Sequence, residues 1–454
     1  MMRFSTATTV VGWLMSQRRT PRAKPSSRGR RLLTGVAITL FLAVAGATAG
    51  QAAALPPGNS AQQWNVIAQD TVVNTPGMFQ NEALLYMSYV QAAVYDAVTS
   101  IEGGYEPYGP EIRASRRASV DAAVVEAAYR TLIQYFPAQA TMIGALRVEA
   151  LALIPDGSAK TEGIAVGARA AADIIALRAG DGRQPVGTLT PYTPPASAGL
   201  AFWEPTPPAF LPPQTPWLKD VRPFVIKRAD DFLPGPPPAL DSRRWVNEYN
   251  EIKLWGRATG SPRTQEQTDI ATFWTTNVIR QYNTAFRDVA TSHGLSVLQT
   301  ARLLAMGNVA GADTQIACWN AKYHYGFWRP VTAIAQSGRD DGNPLTTKDP
   351  SWTPTVVTPN HPEYPGAHGC FSSAMAEVFS TFLGTQRIDV TLTSTTVPTM
   401  PTRHFERAQD LRAEIVEARL WGGMHFRDSS VKGVKLGRRV AHYVLTHAFQ
   451  PDDD

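Results

Sequence analysis

Lys322 and Arg329 lie seven residues apart in Lys-Tyr-His-Tyr-Gly-Phe-Trp-Arg-Pro, residues 322–330. On a helix that advances about 100° per residue this spacing returns both cations to nearly one face, two turns apart. Pro330 has no amide hydrogen to donate and is expected to end that helix. Two later segments answer the first: Tyr-Pro-Gly-Ala-His at 364–368 and Arg-Leu-Trp-Gly-Gly-Met-His at 419–425. Together they supply three fixed cations, Lys322, Arg329 and Arg419, and two titratable rings, His368 and His425. The chemistry this set suits is the binding of a tetrahedral oxyanion. Arginine offers a planar fork of donors to such oxygens, and lysine a compact point charge. Gly366, Ala367 and His368 precede a helical pattern, so their amides form the floor of a cationic cup at a helix N-terminus. His425 follows Gly422-Gly423, a break that aims its ring into the cup as nucleophile or metal ligand. His368, on the opposite wall, is the candidate general acid or base. His404, His442 and His447 are expected to be surface or satisfied core residues.

The elements that must position these groups are mostly helical. From about 62 to 180 prolines are few, and Met87, Val90, Val94, Ala97 and Ile101 recur at 3-4-3-4 spacing, the mark of a core-facing helix stripe. A further alanine-rich helix is expected over about 158–179, ending at Gly180. Residues 185–238 hold 15 of the 35 prolines, but Phe202, Trp203, Phe210, Trp217, Phe224 and Phe232 are interleaved with them. A free linker has no use for six large aromatics, so this stretch is read as an ordered meander packed over the helices. Helical patterning resumes near 240, runs through 296–307 and reaches Lys322. A loop over about 337–364, a helix from near His368, a short hairpin within 385–397 and helices at about 404–420 and 430–447 complete an all-α fold. The organisation expected is a leader at 1–54, an N-terminal helical part with the meander at 55–240, and a C-terminal domain carrying the site at 241–454.

The formal charge of +5 is uneven: residues 1–54 carry eight Lys or Arg and no acid, which leaves 35 bases against 38 acids in the remainder, a net of −3. The basic balance therefore belongs to the leader, and nucleic-acid binding loses its compositional support. Arg30-Arg31, the apolar run Leu32 to Ala49 and the small residues at 47–49 and 52–54 read as a secretory signal peptide, cut near Ala49 or Ala54. The arginine pair leaves a twin-arginine route open. Export to the periplasm or exterior with no stable membrane anchor after cleavage is the expectation. Cys318 and Cys370 are the chain's two cysteines, and each neighbours a site segment; pairing in an oxidising compartment and two buried free thiols are both open.

Lys-x6-Arg-Pro, then Pro-x-x-His, then Arg-x5-His resembles the three-part signature of the vanadium-dependent haloperoxidases and the type 2 phosphatidic acid phosphatases. The segments around Tyr89 to Ile101, Trp203 to Pro208 and Phe273-Trp274 extend the resemblance to secreted bacterial haloperoxidases over most of the chain. It implies a two-bundle helical fold. It implies vanadate as cofactor, with phosphate as an alternative occupant, held by Lys322, Arg329 and Arg419 with the amides of Gly366 and Ala367. His425 would be the axial vanadium ligand, or the phosphorylated nucleophile of an acid phosphatase. His368 would be the acid-base residue, and Lys322 would polarise the bound oxidant. Hydrogen peroxide, a halide and a small organic acceptor are the implied partners. Trp319 resembles an aromatic wall of the chloroperoxidase pocket. His361 matches a position where algal bromoperoxidases carry histidine and chloroperoxidase phenylalanine, which favours bromide or iodide. Three departures stand out. The middle block usually reads Pro-Ser-Gly-His, so a serine hydroxyl is missing at Gly366; its amide is the expected substitute, since one hydrogen bond to a charged group is worth roughly 1.5–3 kcal/mol. Asp428 follows His425 by three residues where the family has four. Asn277 stands where chloroperoxidase has an aspartate supporting the acid-base histidine. An acid phosphatase and a non-catalytic oxyanion-binding protein are the rival readings.

Overall fold

The computed structural model describes residues 54–336 and 339–452; the expected signal peptide lies outside the described residues. The chain runs α1 (Ser60–Val73), α2 (Gln80–Glu102), α3 (Val120–Tyr135), α4 (Ala140–Ala152) and α5 (Ser158–Leu177). After the proline-rich stretch come α6 (Arg243–Trp255), α7 (Gln265–Phe273), α8 (Val278–Ser292), α9 (Val297–Tyr325) and α10 (Pro330–Ala335). Then follow α11 (Ala367–Leu383), a hairpin of β1 (Arg387–Thr393) and β2 (Thr402–Arg407), α12 (Ala408–Trp421) and α13 (Arg427–His447). The fold is all-helical apart from this antiparallel pair. No described helix is long and apolar enough to cross a membrane.

α9 is the central strut. Ser296 caps it by accepting the Gln299 amide, with the Gln299 side chain returning the bond, a capping box that satisfies two orphan donors. Its middle, from Leu303 to Ala317, is buried nearly all round, which is the state expected of a helix with no polar face. α2, backed by α3, packs against it, as do α11 and α13, and one continuous apolar core joins Leu84, Val125, Phe286, Ile316, Met375 and Val440. α11 and α13 cross at backbone contact. A Cβ at Gly437 would stand 1.8 Å from the Cys370 carbonyl oxygen, and one at Gly433 would stand 2.4 Å from that of Gly366. Only glycine allows this approach.

The proline-rich stretch is an ordered meander of extended chain and short 3₁₀ turns. Trp203, Trp217 and Phe232 are its buried anchors, whereas Phe210 is exposed. A buried α9 carboxylate, Asp313, accepts the backbone amides of Phe224, Val225 and Ile226 at 2.6–2.9 Å. A polar tie therefore fastens the meander to the strut, and it does what a ladder would do for chain that has too many prolines to form one.

The structure corrects four expectations. α9 ends at Tyr325 with Gly326 in the left-handed conformation, so Gly326 stops the helix and Pro330 starts the next one from its first position, a place where proline's missing donor costs nothing. Lys322 and Arg329 are thus not on one helix. The hairpin is longer than expected, because the alternating run at 387–393 pairs with 402–407 and not with its own second half; β2 takes residues that helical patterning had claimed. α5 stops at Leu177, and Gly180 turns the following loop. α13 begins at Arg427, directly after the site histidine.

Candidate active site

Lys322 reaches the site from the last turn of α9. Its ammonium is fully buried and donates to the carbonyls of Pro362 at 2.9 Å, Glu363 at 3.0 Å and Pro365. All three donors therefore hold the loop that leads into α11. Arg329 is brought in by a different device. The 326–328 segment pairs with the meander, Trp203 amide to Gly326 carbonyl and Trp328 amide to Ala201 carbonyl, and α10 follows at once. The Arg329 guanidinium, also fully buried, donates to the carbonyls of His361 at 3.0 Å, Met424 at 2.9 Å and Pro359 at 3.2 Å, and reaches His425 Nε2 at 3.1 Å and His361 Nδ1 at 3.1 Å. Arg419, on the last turn of α12, donates to the Trp274 carbonyl at 3.2 Å and the Met424 sulfur at 3.1 Å, and its Nε is buried without a partner among the described residues.

The two rings arrive at element boundaries. His368 is the second residue of α11. The residue is half-buried at the cavity wall, and its Nε2, itself buried, has no partner among the described residues. Burial, then Arg419, holds its pKa well below the usual imidazole value, opposed by a hydrogen bond to the Trp274 carbonyl. His425 sits in the turn between α12 and α13. Gly423, in the left-handed region at φ 73°, makes that turn, and a Cβ there would stand 2.3 Å from the Gly256 carbonyl oxygen. The glycine pair is thus a tightly seated corner, not a flexible break. His425 is likewise driven well below the imidazole range, by burial first and then by Arg329 and Lys322, so the ring is neutral.

Three of the expected supporting contacts are made by other groups. Gly366, whose amide was expected to replace a serine hydroxyl, donates that amide to the Ser429 carbonyl at 2.9 Å. The amides of Ala367 and His368 open α11 and are first-turn donors with no intrahelical acceptor. Asn277 uses its side-chain oxygen to cap α8 through the amides of Ile279 and Arg280, and the group at His368 is the Trp274 carbonyl. Asp428 pairs with Arg244 on the outer side. The carboxylate on His425 is instead Glu363, whose Oε1 lies 2.9 Å from Nδ1 and 3.0 Å from the Phe426 amide. No periodicity singles out Glu363. The signal that could have found it is the displaced Asp428, which leaves the histidine needing another acceptor close to the 364–368 block.

The electrostatics are those of an anion site. Lys322, Arg329, Arg419 and Glu363 are all at or near zero exposure, three cations against one carboxylate. Burial pulls Lys322 down to about 8, Arg329 to about 10 and Arg419 to about 9, and pushes Glu363 up to about 8. Buried charge on this scale is costly unless paired. A tetrahedral oxyanion fits the donor set: the Arg419 Nε, unpartnered among the described residues, and the open amides of Ala367 and His368 are donors such an anion satisfies, while the bare His368 Nε2 can accept from a protonated oxygen. Beside the cup is a cavity of about 110 Å³ whose wall includes Leu84, Gln315, Trp319, His361, His368 and Phe371. Trp319 and His361 pack with ring centroids 5.1 Å apart. Cys318 and Cys370 are buried free thiols with sulfurs 2.8 Å apart.

Residues 302–452 match the family model of the VCPO second helical-bundle domain. The vanadium chloroperoxidase of Curvularia inaequalis is 25% identical over 285 residues, 47% of each chain, so the chain spans about half the length of this curated relative. Among solved structures, the first bacterial vanadium-dependent iodoperoxidase superposes with a TM-score of 0.73 at 23% identity, covering 88% of this chain and all of that one. The fold is that of the bacterial vanadium-dependent haloperoxidase structures, and the C-terminal third carries the VCPO second helical-bundle match. A holo-type bacterial vanadium-dependent chloroperoxidase shares the fold, with a TM-score of 0.67 at 16% identity over 87% of this chain and 98% of that one. The model match begins inside α9 and takes in every site residue from Lys322 to Asp428.

Proposed function

We propose that the protein is a vanadate-dependent haloperoxidase that oxidises halide with hydrogen peroxide and passes the oxidised halogen to a small organic acceptor. The observation that carries this reading is the convergence of three buried cations, the open amides of α11 and a neutral His425 on one spot beside a small cavity. Vanadate bound there would supply a Lewis-acid centre at which peroxide is activated without a change of metal oxidation state. Lys322, Arg329 and Arg419, with the amides of Ala367 and His368, would hold its oxygens; donors now resting on loop carbonyls are near enough in kind to be exchanged for anion oxygens. His425 would hold the vanadium through Nε2, the nitrogen left unprotonated when Nδ1–H faces Glu363. His368, neutral and with Nε2 unpartnered, would accept the proton of incoming peroxide and return it. Trp319, His361 and Phe371 exclude bulk water from the side on which halide would enter.

His361 puts a polar ring against Trp319 and Arg329, which supports bromide or iodide over chloride. The same cup would suit phosphoryl transfer through His425. The cavity of about 110 Å³ favours reagents as small as peroxide and halide over a phosphomonoester. Purified protein assayed with and without orthovanadate settles the choice: peroxide-dependent bromination of a phenol dye that requires vanadate is the expected result. Hydrolysis of an aryl phosphate that vanadate inhibits would replace this reading with a phosphatase. Neither activity, with vanadate still bound, would leave an oxyanion-binding protein.

A further inference from the structure

We propose that Glu363 is the positioning residue for His425, fixing the tautomer that turns Nε2 toward the oxyanion cup; the inference rests on the reading of His425 as the residue that would bind vanadium. The geometry is specific. Glu363 Oε1 accepts from His425 Nδ1 at 2.9 Å and from the Phe426 amide at 3.0 Å, and neither side chain is more than about 1% exposed. A guanidinium can only donate, so the Arg329 contact at Nε2 makes that nitrogen the acceptor, and the proton of the neutral ring belongs on Nδ1, facing Oε1. The lone pair is then on Nε2, where Arg329 Nη1 meets it at 3.1 Å. Donors on both sides select the same tautomer.

Glu363 is itself held at nearly every polar atom. Its amide donates to the Phe327 carbonyl at 2.9 Å, and its own carbonyl accepts from Lys322 at 3.0 Å and from Ser429 at 3.3 Å. It thus links the 326–328 turn, the end of α9 and the start of α13, and the histidine it orients lies in the turn just before α13. The remaining oxygen, Oε2, is buried without a partner. Asp428, the carboxylate that sequence spacing offers for the task, has its Oδ1 on Arg244, and its amide donates to Glu248 at 2.8 Å. A ligand histidine whose far nitrogen is held by a carboxylate is fixed in orientation and made more basic. A buried carboxylate beside two cations could also serve only to anchor the loop, and the test must separate these roles.

The experiment uses full-length protein labelled with ¹⁵N-histidine, and calorimetric titration with orthovanadate and, separately, inorganic phosphate. The His425 signal is assigned by its loss in His425→Ala. In the unmutated protein Nδ1 is expected to be the protonated nitrogen and Nε2 the bare one; the opposite tautomer overturns the proposal. Glu363→Gln keeps an acceptor oxygen, so the tautomer should persist and vanadate affinity should stay within threefold. Glu363→Leu removes the acceptor. Vanadate affinity should then fall at least tenfold, while phosphate, which needs the cations but no bond to His425, changes less than threefold. An equal loss for both anions would make Glu363 a loop anchor only, and no loss for either would also overturn the role. Should the leucine variant fail to fold, the tautomers of the unmutated and glutamine proteins decide. Absence of vanadate binding in the unmutated protein would defeat the proposed function, and the tautomer would still judge Glu363 separately.

Discussion

Lys322 controls how the site should respond to pH. Burial lowers its pKa to about 8 from an ordinary 10.5, with Arg329 adding to the shift. Between these values the unfolded chain binds a proton that the folded protein does not, so this group makes stability rise with pH across that window. Anion binding should behave oppositely, because above about pH 8 the free site loses one of its three cations. Vanadate affinity measured by calorimetry is expected to fall from near pH 8, by up to about tenfold per pH unit for each group that titrates there, Lys322 losing a proton and Glu363 gaining a charge. A flat profile to pH 9.5 would show that Lys322 does not face the anion. Gly366 makes a second prediction at this scale. A Cβ there would stand 3.2 Å from the Ser430 Cα and 3.4 Å from the Ser429 carbonyl oxygen. Gly366→Ser, the change that recreates the usual Pro-Ser-Gly-His spacing of the hydroxyl, should therefore cost about 1–2 kcal/mol of stability by crowding backbone. Urea unfolding measures the loss. The five cation and imidazole positions were legible because charge on a spaced motif can be read directly. Glu363 was not, since a lone glutamate in a loop looks like any surface acid until its burial is seen.

Helix identity was legible wherever an apolar stripe ran unbroken, as in α2, and where capping chemistry marked an end. What misled was the stretch from Lys322 to Pro330. The seven-residue spacing suggested one face, although Gly326, a natural left-handed cap, lay in the middle of it. The two cations converge because the chain turns there and pairs with the meander, a long-range contact that no local period reports. The same limit applies to β2, whose residues resemble a helix start and become a strand only because β1 is present to pair. The α11–α13 crossing tests how far the site depends on such packing. Gly437→Ala would place a methyl 1.8 Å from the Cys370 carbonyl oxygen. The helices must part, at a cost of about 3 kcal/mol or more, and His368 and His425, at the ends of these helices, should separate. Loss of stability in chemical unfolding together with weaker vanadate binding is expected; unchanged binding would show that the cup is held by the loops alone. Asp313→Ala would leave the amides of Phe224, Val225 and Ile226 without their acceptor. At about 1 kcal/mol for each unmade bond the cost is about 3 kcal/mol, and limited proteolysis should then cut within 205–238.

Over the whole molecule the site is a concentration of positive charge inside a chain whose residues beyond 54 carry a net −3. The core pays for that concentration, since three cations and one carboxylate are kept out of water by helices that would pack as well around apolar groups. Stability is therefore expected to depend on anion occupancy more than on any surface ion pair. A ligand that binds only the folded state stabilises it by about 2.7 kcal/mol at a hundred times its Kd. Orthovanadate at that excess should raise the melting temperature by several degrees, phosphate should do so at higher concentration, and His425→Ala should lose the advantage of vanadate over phosphate while keeping a response to both. Because the cup is buried, the rise should persist in 0.5 M sodium chloride, where exposed charges are screened within a few ångströms. A shift abolished by salt would place the anion on the surface, away from Lys322, Arg329 and Arg419.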